Sequence, residues 1–261
     1  MTAQQFLWSA WDWKPSVVIG CAGLLLAYGA AVRWRFSMRA AAWCAGVSLV
    51  LLASVSPIDA LADSYLFSVH VAKHIVFLLV VPALLLLGFP TELVARRRRL
   101  ARFSPHPAAC WLIGIGTMAF WHLPAVFDAA VAHEALHIAE HLSLLAAGTI
   151  YWWPILAPIP SARLNPVPQA AAYLFTSCLA CTAMGVLITF APAPLYAPYI
   201  NPADTFGMLA TVRRNWGISA MLDQQIGGLV MWVPCCLIYL TAIMAMFGRW
   251  YGEPAGAVQQ A

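Results

Sequence analysis

The chain has 261 residues, of which 62% are hydrophobic and only 9% charged, with a formal net charge of +4. A soluble domain carries roughly 25% charged residues, so this composition excludes an ordinary water-soluble globule. It also excludes a dedicated nucleic-acid binder, whose basic surface needs far more lysine and arginine.

In chain order, apolar stretches near the length of about 20 residues that a membrane helix requires occupy residues 15–32, 40–56, 66–88, 108–123, 134–154, 169–191 and 222–247. The expected fold class is therefore all-α, a polytopic membrane bundle of seven transmembrane helices forming a single integral membrane domain over residues 1–261. Residues 1–13 lack the basic start and small-residue cleavage site of a secretory signal, so no cleavable peptide is expected there. Trp8, Trp11 and Trp13 read instead as an interfacial aromatic belt.

Lysines and arginines set the orientation. One side of the seven-span arrangement receives ten: Arg33, Arg35, Arg39, the arginines at 96–99, Arg102, Arg163 and Arg249. The other receives three, Lys14, Arg213 and Arg214. Basic residues accumulate on the cytoplasmic side, which places the N-terminus outside and the C-terminus inside. The run at 96–99 reads as a topology anchor rather than a nucleic-acid site. Lys73 is left inside the third span.

This topology brings six of the seven histidines to the outer end of the helices: His70 and His74, His122, and His133, His137 and His141. Only His106 lies with the cytoplasmic loops. Polar residues at membrane depth are costly and usually functional, and a shared metal or haem is the expected purpose. His70 with His74 and His137 with His141 are each four apart, which places each pair on one helix face. Glu134 precedes His137 by three and His133 precedes it by four, extending the stripe. Imidazole suits copper, zinc, iron and nickel alike. Asp59, Asp63, Asp128, Glu140, Asp204 and Asp223 enrich the same face in carboxylate.

All seven cysteines fall within apolar spans, as packing residues or soft copper(I) ligands. Cys178 and Cys181 share a face in the sixth span, with Cys235 at similar depth in the seventh. Met184, Met208, Met221 and Met231 are further thioether candidates. Asp223, Gln224 and Gln225 open the last span, where they serve either as a polar clamp or as support for a ligating imidazole. The segment 192–221, with Tyr196, Tyr199, Arg213, Arg214 and Trp216, is placed to cover the site.

Five separated strings agree in order with one family. These are His70-Val71-Ala72-Lys73-His74 with Pro82 and Gly88-Phe89-Pro90; Trp121-His122-Leu123-Pro124 with Asp128; His137-Ile138-Ala139-Glu140-His141; Trp152-Trp153-Pro154; and the stretch from Asp223 to Pro234. Over residues 59–247 the chain resembles the CtaG-like cytochrome c oxidase assembly factors. The resemblance implies a seven-helix protein of the bacterial cytoplasmic (inner) membrane that supplies copper to the catalytic subunit of a haem–copper oxidase. It implies a metallochaperone rather than an enzyme. It points to His70, His74, His122, His137, His141 and Asp223. Asp128, His133, Glu134, Glu140 and Met231 join them as supporting candidates. Two rival readings use the same histidines: a membrane di-metal oxygenase or zinc hydrolase, against which there is no HExxH string, and a b-type haem protein.

Overall fold

The computed structural model describes residues 2–90, 105–159, 162–164 and 167–252. The arginines at 96–99 and Arg102, which carry much of the orientation argument, lie outside the described residues. Among the described residues there are helices and no strands. In order these are α1 (Ala3–Ser9), α2 (Pro15–Ala31), α3 (Met38–Val55), α4 (Pro57–Ser64) and α5 (Phe67–Gly88). They continue with α6 (Pro107–Trp121), α7 (Pro124–Ala132), α8 (Glu134–Leu156), α9 (Val167–Thr189), α10 (Ala197–Ile200) and α11 (Ala220–Gly252). Each of the seven apolar stretches coincides with a helix, with ends shifted by a few residues.

Four of these helices, α3, α5, α9 and α11, are long and apolar enough to cross a membrane. A fifth span results if α6 and α7, bent by 72° at their junction, are taken together. The 17-residue α2 is apolar but shorter. The 23 residues of α8 begin with polar turns bearing Glu134, His137, Glu140 and His141. Large apolar side chains such as Ile19, Leu187, Phe190 and Met244 point outward, the arrangement a lipid environment rewards.

Local sequence explains the breaks that shape the interior. Pro124 drives the preceding Leu123 into extended backbone, so α6 ends at Trp121 and His122 becomes its C-cap. In α5, Pro82 has no N–H to offer Leu78 and its ring presses on that carbonyl. The helix answers with a π-type turn over Val76–Val80, one residue past His74 and Ile75. Gly148 of α8 packs onto the Leu78 carbonyl oxygen, where a Cβ would collide with it. α8 therefore lies closer to α5 than any larger residue permits.

The start of α5 has no capping side chain of its own at Leu66. Asp223 of α11 supplies it instead. Its carboxylate accepts hydrogen bonds from Phe67 N (2.7 Å), Ser68 N (3.1 Å) and Ser68 Oγ (2.6 Å). A carboxylate at a helix N-terminus satisfies orphan donors and the helix dipole together. Nearby, Gln224 accepts from Leu195 N and donates to the Ile188 carbonyl at 3.2 Å. The core runs continuously from Phe67 and Phe127 through Tyr151 and Trp152 to Met231, Cys235 and Tyr239.

Candidate metal centre

Two helices carry the centre and a third closes it. α5 contributes His70 and His74, both fully buried, and α8 contributes Glu140, also fully buried, with His141. The imidazoles of His70 and His74 lie 4.4 Å apart between ring centroids, and His141 lies 6.0 and 5.8 Å from them. Glu140 Oε2 is 3.6 Å from His70 Nε2 and Oε1 is 3.4 Å from His74 Nε2. One ligand atom from each of His70, His74, Glu140 and His141 falls within 4.8 Å of all the others. His122, at the broken end of α6, places its ring 5.1 Å from that of His74.

The hydrogen-bond network assigns the tautomers of two of these rings. A carbonyl can only accept, so His122 Nδ1–H donates to Met118 O at 2.8 Å. Tyr199 gives its hydroxyl proton to Ala62 O at 2.7 Å and is left to accept from His70 Nδ1–H at 3.1 Å. In both rings the lone pair thus sits on Nε2, the form that binds a metal while the other nitrogen is anchored. The Nε2 atoms of His70, His74, His122, His137 and His141, and both carboxylate oxygens of Glu140, are buried without a hydrogen-bond partner. A buried carboxylate without compensation costs several kcal/mol. The residues fit a cation held by Glu140 and the imidazoles around it.

The nearest lysine does not supply that compensation. Lys73 points from α5 to the other side, where its ammonium donates to Asp59 Oδ1 and Asp63 Oδ1, both at 2.7 Å. Lys14 donates to the other oxygen of Asp59 at 2.8 Å. Two lysines and two aspartates balance one another, and Glu140 stays the odd charge. Asp63 also lies 3.5 Å from His70 Nδ1 and 3.3 Å from His137 Nε2. Although burial opposes it, His137, His70 and the Lys73 ammonium hold the Asp63 carboxyl well below the usual range. Asp63, His70 and His137 form a second group of potential ligands beside the first. Asp12, Lys14, Asp59 and Asp63 line a cleft of about 400 Å³, so Asp63 is the member of this group that the cleft touches.

The remaining candidates lie elsewhere. His133 and Glu134 are exposed at the first turn of α8, outside the cluster. Asp128 on α7 is half-buried, and its Oδ1 has no hydrogen-bond partner. Asp223 acts one step removed, by anchoring the helix that bears His70 and His74. Met231 is fully buried in the core, one turn of α11 before Cys235. Spacing in the sequence shows the histidines. It does not show Lys73, Asp59 and Asp63 as one ion-pair network, because α4 is a short helix with no apolar signature to announce it.

A family model describing the cytochrome c oxidase caa3 assembly factor matches residues 21–253, nearly the whole bundle and every residue of the buried cluster. The chain belongs to this Caa3_CtaG family. Its curated relatives include uncharacterized proteins of Mycobacterium bovis and Mycobacterium tuberculosis, each 24% identical over 302 residues, covering 96% of this chain and 44% of the relative. An uncharacterized protein of Mycobacterium leprae is 24% identical over 275 residues, covering 91% of this chain and 39% of its own length. The chain thus spans less than half the length of these relatives. No solved structure matches it. It is thus a Caa3_CtaG member with several apolar helices of membrane-spanning length.

Proposed function

We propose that this assembly factor is a copper metallochaperone and not an enzyme, with copper as its cargo and the catalytic subunit of a haem–copper oxidase as its client. His70, His74, Glu140 and His141 hold the ion, and His122 and His137 stand ready at its two sides. The observation that carries this reading is Glu140, a fully buried carboxylate whose oxygens lie 3.6 Å and 3.4 Å from the Nε2 atoms of His70 and His74 without forming a hydrogen bond. Membership of an oxidase assembly family supports copper among the several metals that imidazole accepts.

In this proposal α2, α3, α5, α6, α8, α9 and α11 are seven spans in a bacterial cytoplasmic membrane, with the N-terminus outside. The cleft at Asp12, Asp59 and Asp63 then faces outward and admits the cation, and Asp63 with His137 and His70 receives it first. Imidazole and carboxylate bind firmly enough to select the ion, yet exchange it more readily than a closed thiolate cage would. The rings of the cluster stand 4.2 to 6.0 Å apart, a spacing for one ion between side chains rather than for a porphyrin plane.

Metal analysis of detergent-purified protein after copper loading tests this. The native chain is expected to retain copper and H70A/H74A to lose most of it. Equal copper in both, or haem in the native protein, contradicts the proposal.

A further inference from the structure

Four of the seven cysteines meet in the seam between α9 and α11. Cys181 of α9 and Cys235 of α11 are fully buried, and their thiols face each other across the seam. Cys178 and Cys236 form a second facing pair. Cys236 Sγ lies 3.8 Å from the Cys178 carbonyl and 3.4 Å from Thr182 Oγ1, and Tyr239 Oη lies 3.8 Å from Cys181 Sγ. The helices come this close because Gly185 meets the Gly228 carbonyl, where a Cβ would stand 2.6 Å from the oxygen. Met231, fully buried, precedes Cys235 by one turn of α11 and so shares its face. At a rise of about 1.5 Å per residue, Cys235 lies about 18 Å along α11 from the Asp223 cap.

We infer that this seam is a second metal site, one for a soft monovalent cation, with Cys181 and Cys235 as ligands and Met231 as a thioether beside them. Three features decide the class of ligand. The donors are all sulfur, which selects copper(I) over harder ions. A facing pair of thiols satisfies an ion that accepts two ligands. The site is also apolar and buried, so charge decides the rest. When Cu⁺ binds, one thiol releases its proton to water and forms a sulfur–copper bond, while the second sulfur coordinates through a lone pair. One proton leaves as one monovalent ion arrives, so the buried charge does not change and no electron is transferred. A divalent ion adds a charge at a depth where charge is expensive. The inference extends the copper reading of the histidine cluster but does not share its ligands.

The test is anaerobic titration of the reduced, detergent-purified full chain with Cu(I) against a chromophoric chelator, followed by copper X-ray absorption. The native protein is expected to show sulfur ligation. C181S/C235S is expected to lose it, with Cu(I) affinity at this site falling at least about tenfold, whereas C21S/C44S retains it. H74A/H141A is expected to keep the sulfur signature while losing nitrogen ligation, which separates this site from the histidine centre. Purely nitrogen and oxygen ligation in native protein overturns the inference and needs no variant to fold. An unchanged sulfur signature in C181S/C235S, or its loss in H74A/H141A, also overturns it.

Discussion

Glu140 is the residue on which the candidate centre turns. In sequence it is only one of several carboxylates on the same face, whereas in three dimensions its oxygens lie 3.6 Å and 3.4 Å from the Nε2 atoms of His70 and His74 without forming a hydrogen bond. E140Q removes the charge and keeps the shape. In the metal-free protein it is expected to leave thermal stability equal or higher, since an uncompensated buried carboxylate is lost. With copper present the order reverses, because the native chain gains linkage stabilisation of about 2.7 kcal/mol at a hundredfold excess over Kd and E140Q gains less. Melting in detergent with and without copper checks both signs, and an equal copper-induced shift in the two proteins contradicts the assignment. The histidines were legible from their spacing and shared depth. The ion pairs of Lys73 with Asp59 and Asp63 were not, because they join helices whose relation only tertiary packing creates.

At the scale of elements, position depends on how α5 is held. Asp223 caps its first turn from α11, Pro82 forces the π-type turn below His74, and Gly148 lets α8 rest on the carbonyl that this turn exposes. G148A places a Cβ against Leu78 O. It is expected to cost about 1–3 kcal/mol, the usual penalty of overpacking, and to weaken metal retention by parting His141 from His70 and His74. Thermal unfolding and copper content of the same preparation check this; unchanged copper with lowered stability separates the packing claim from the site claim. Hydrophobic length alone located a helix at each of the seven apolar stretches, of which four, or five with α6 and α7 joined, are long enough to cross a membrane. It did not reveal α4, α7 or the π-type turns, since these follow from prolines and contacts between helices rather than from periodicity. Asp223 likewise reads in sequence as support for an imidazole, while in the fold it secures the backbone that presents two of them.

At the scale of the molecule, among the described residues large apolar side chains lie on the outside while His70, His74, Glu140 and Asp223 are buried within the bundle, as suits a membrane-helical protein. The cleft is lined by Asp12, Lys14, Asp59 and Asp63, and the sulfur seam lies between α9 and α11. In the proposed scheme this order runs from harder to softer donors, a gradient suited to a cation that enters from water and is held as copper(I) at the sulfur seam. Membership of the Caa3_CtaG family fits the proposed role in oxidase assembly, and in that proposal the buried histidine–glutamate cluster is the cation site. The most direct measurement is the copper content of the oxidase catalytic subunit isolated from cells that lack this protein and are complemented with the native chain or with H74A/H141A at matched expression. Copper restored by the native chain and not by the variant is the expected result; equal copper in both oxidases contradicts delivery through the histidine centre.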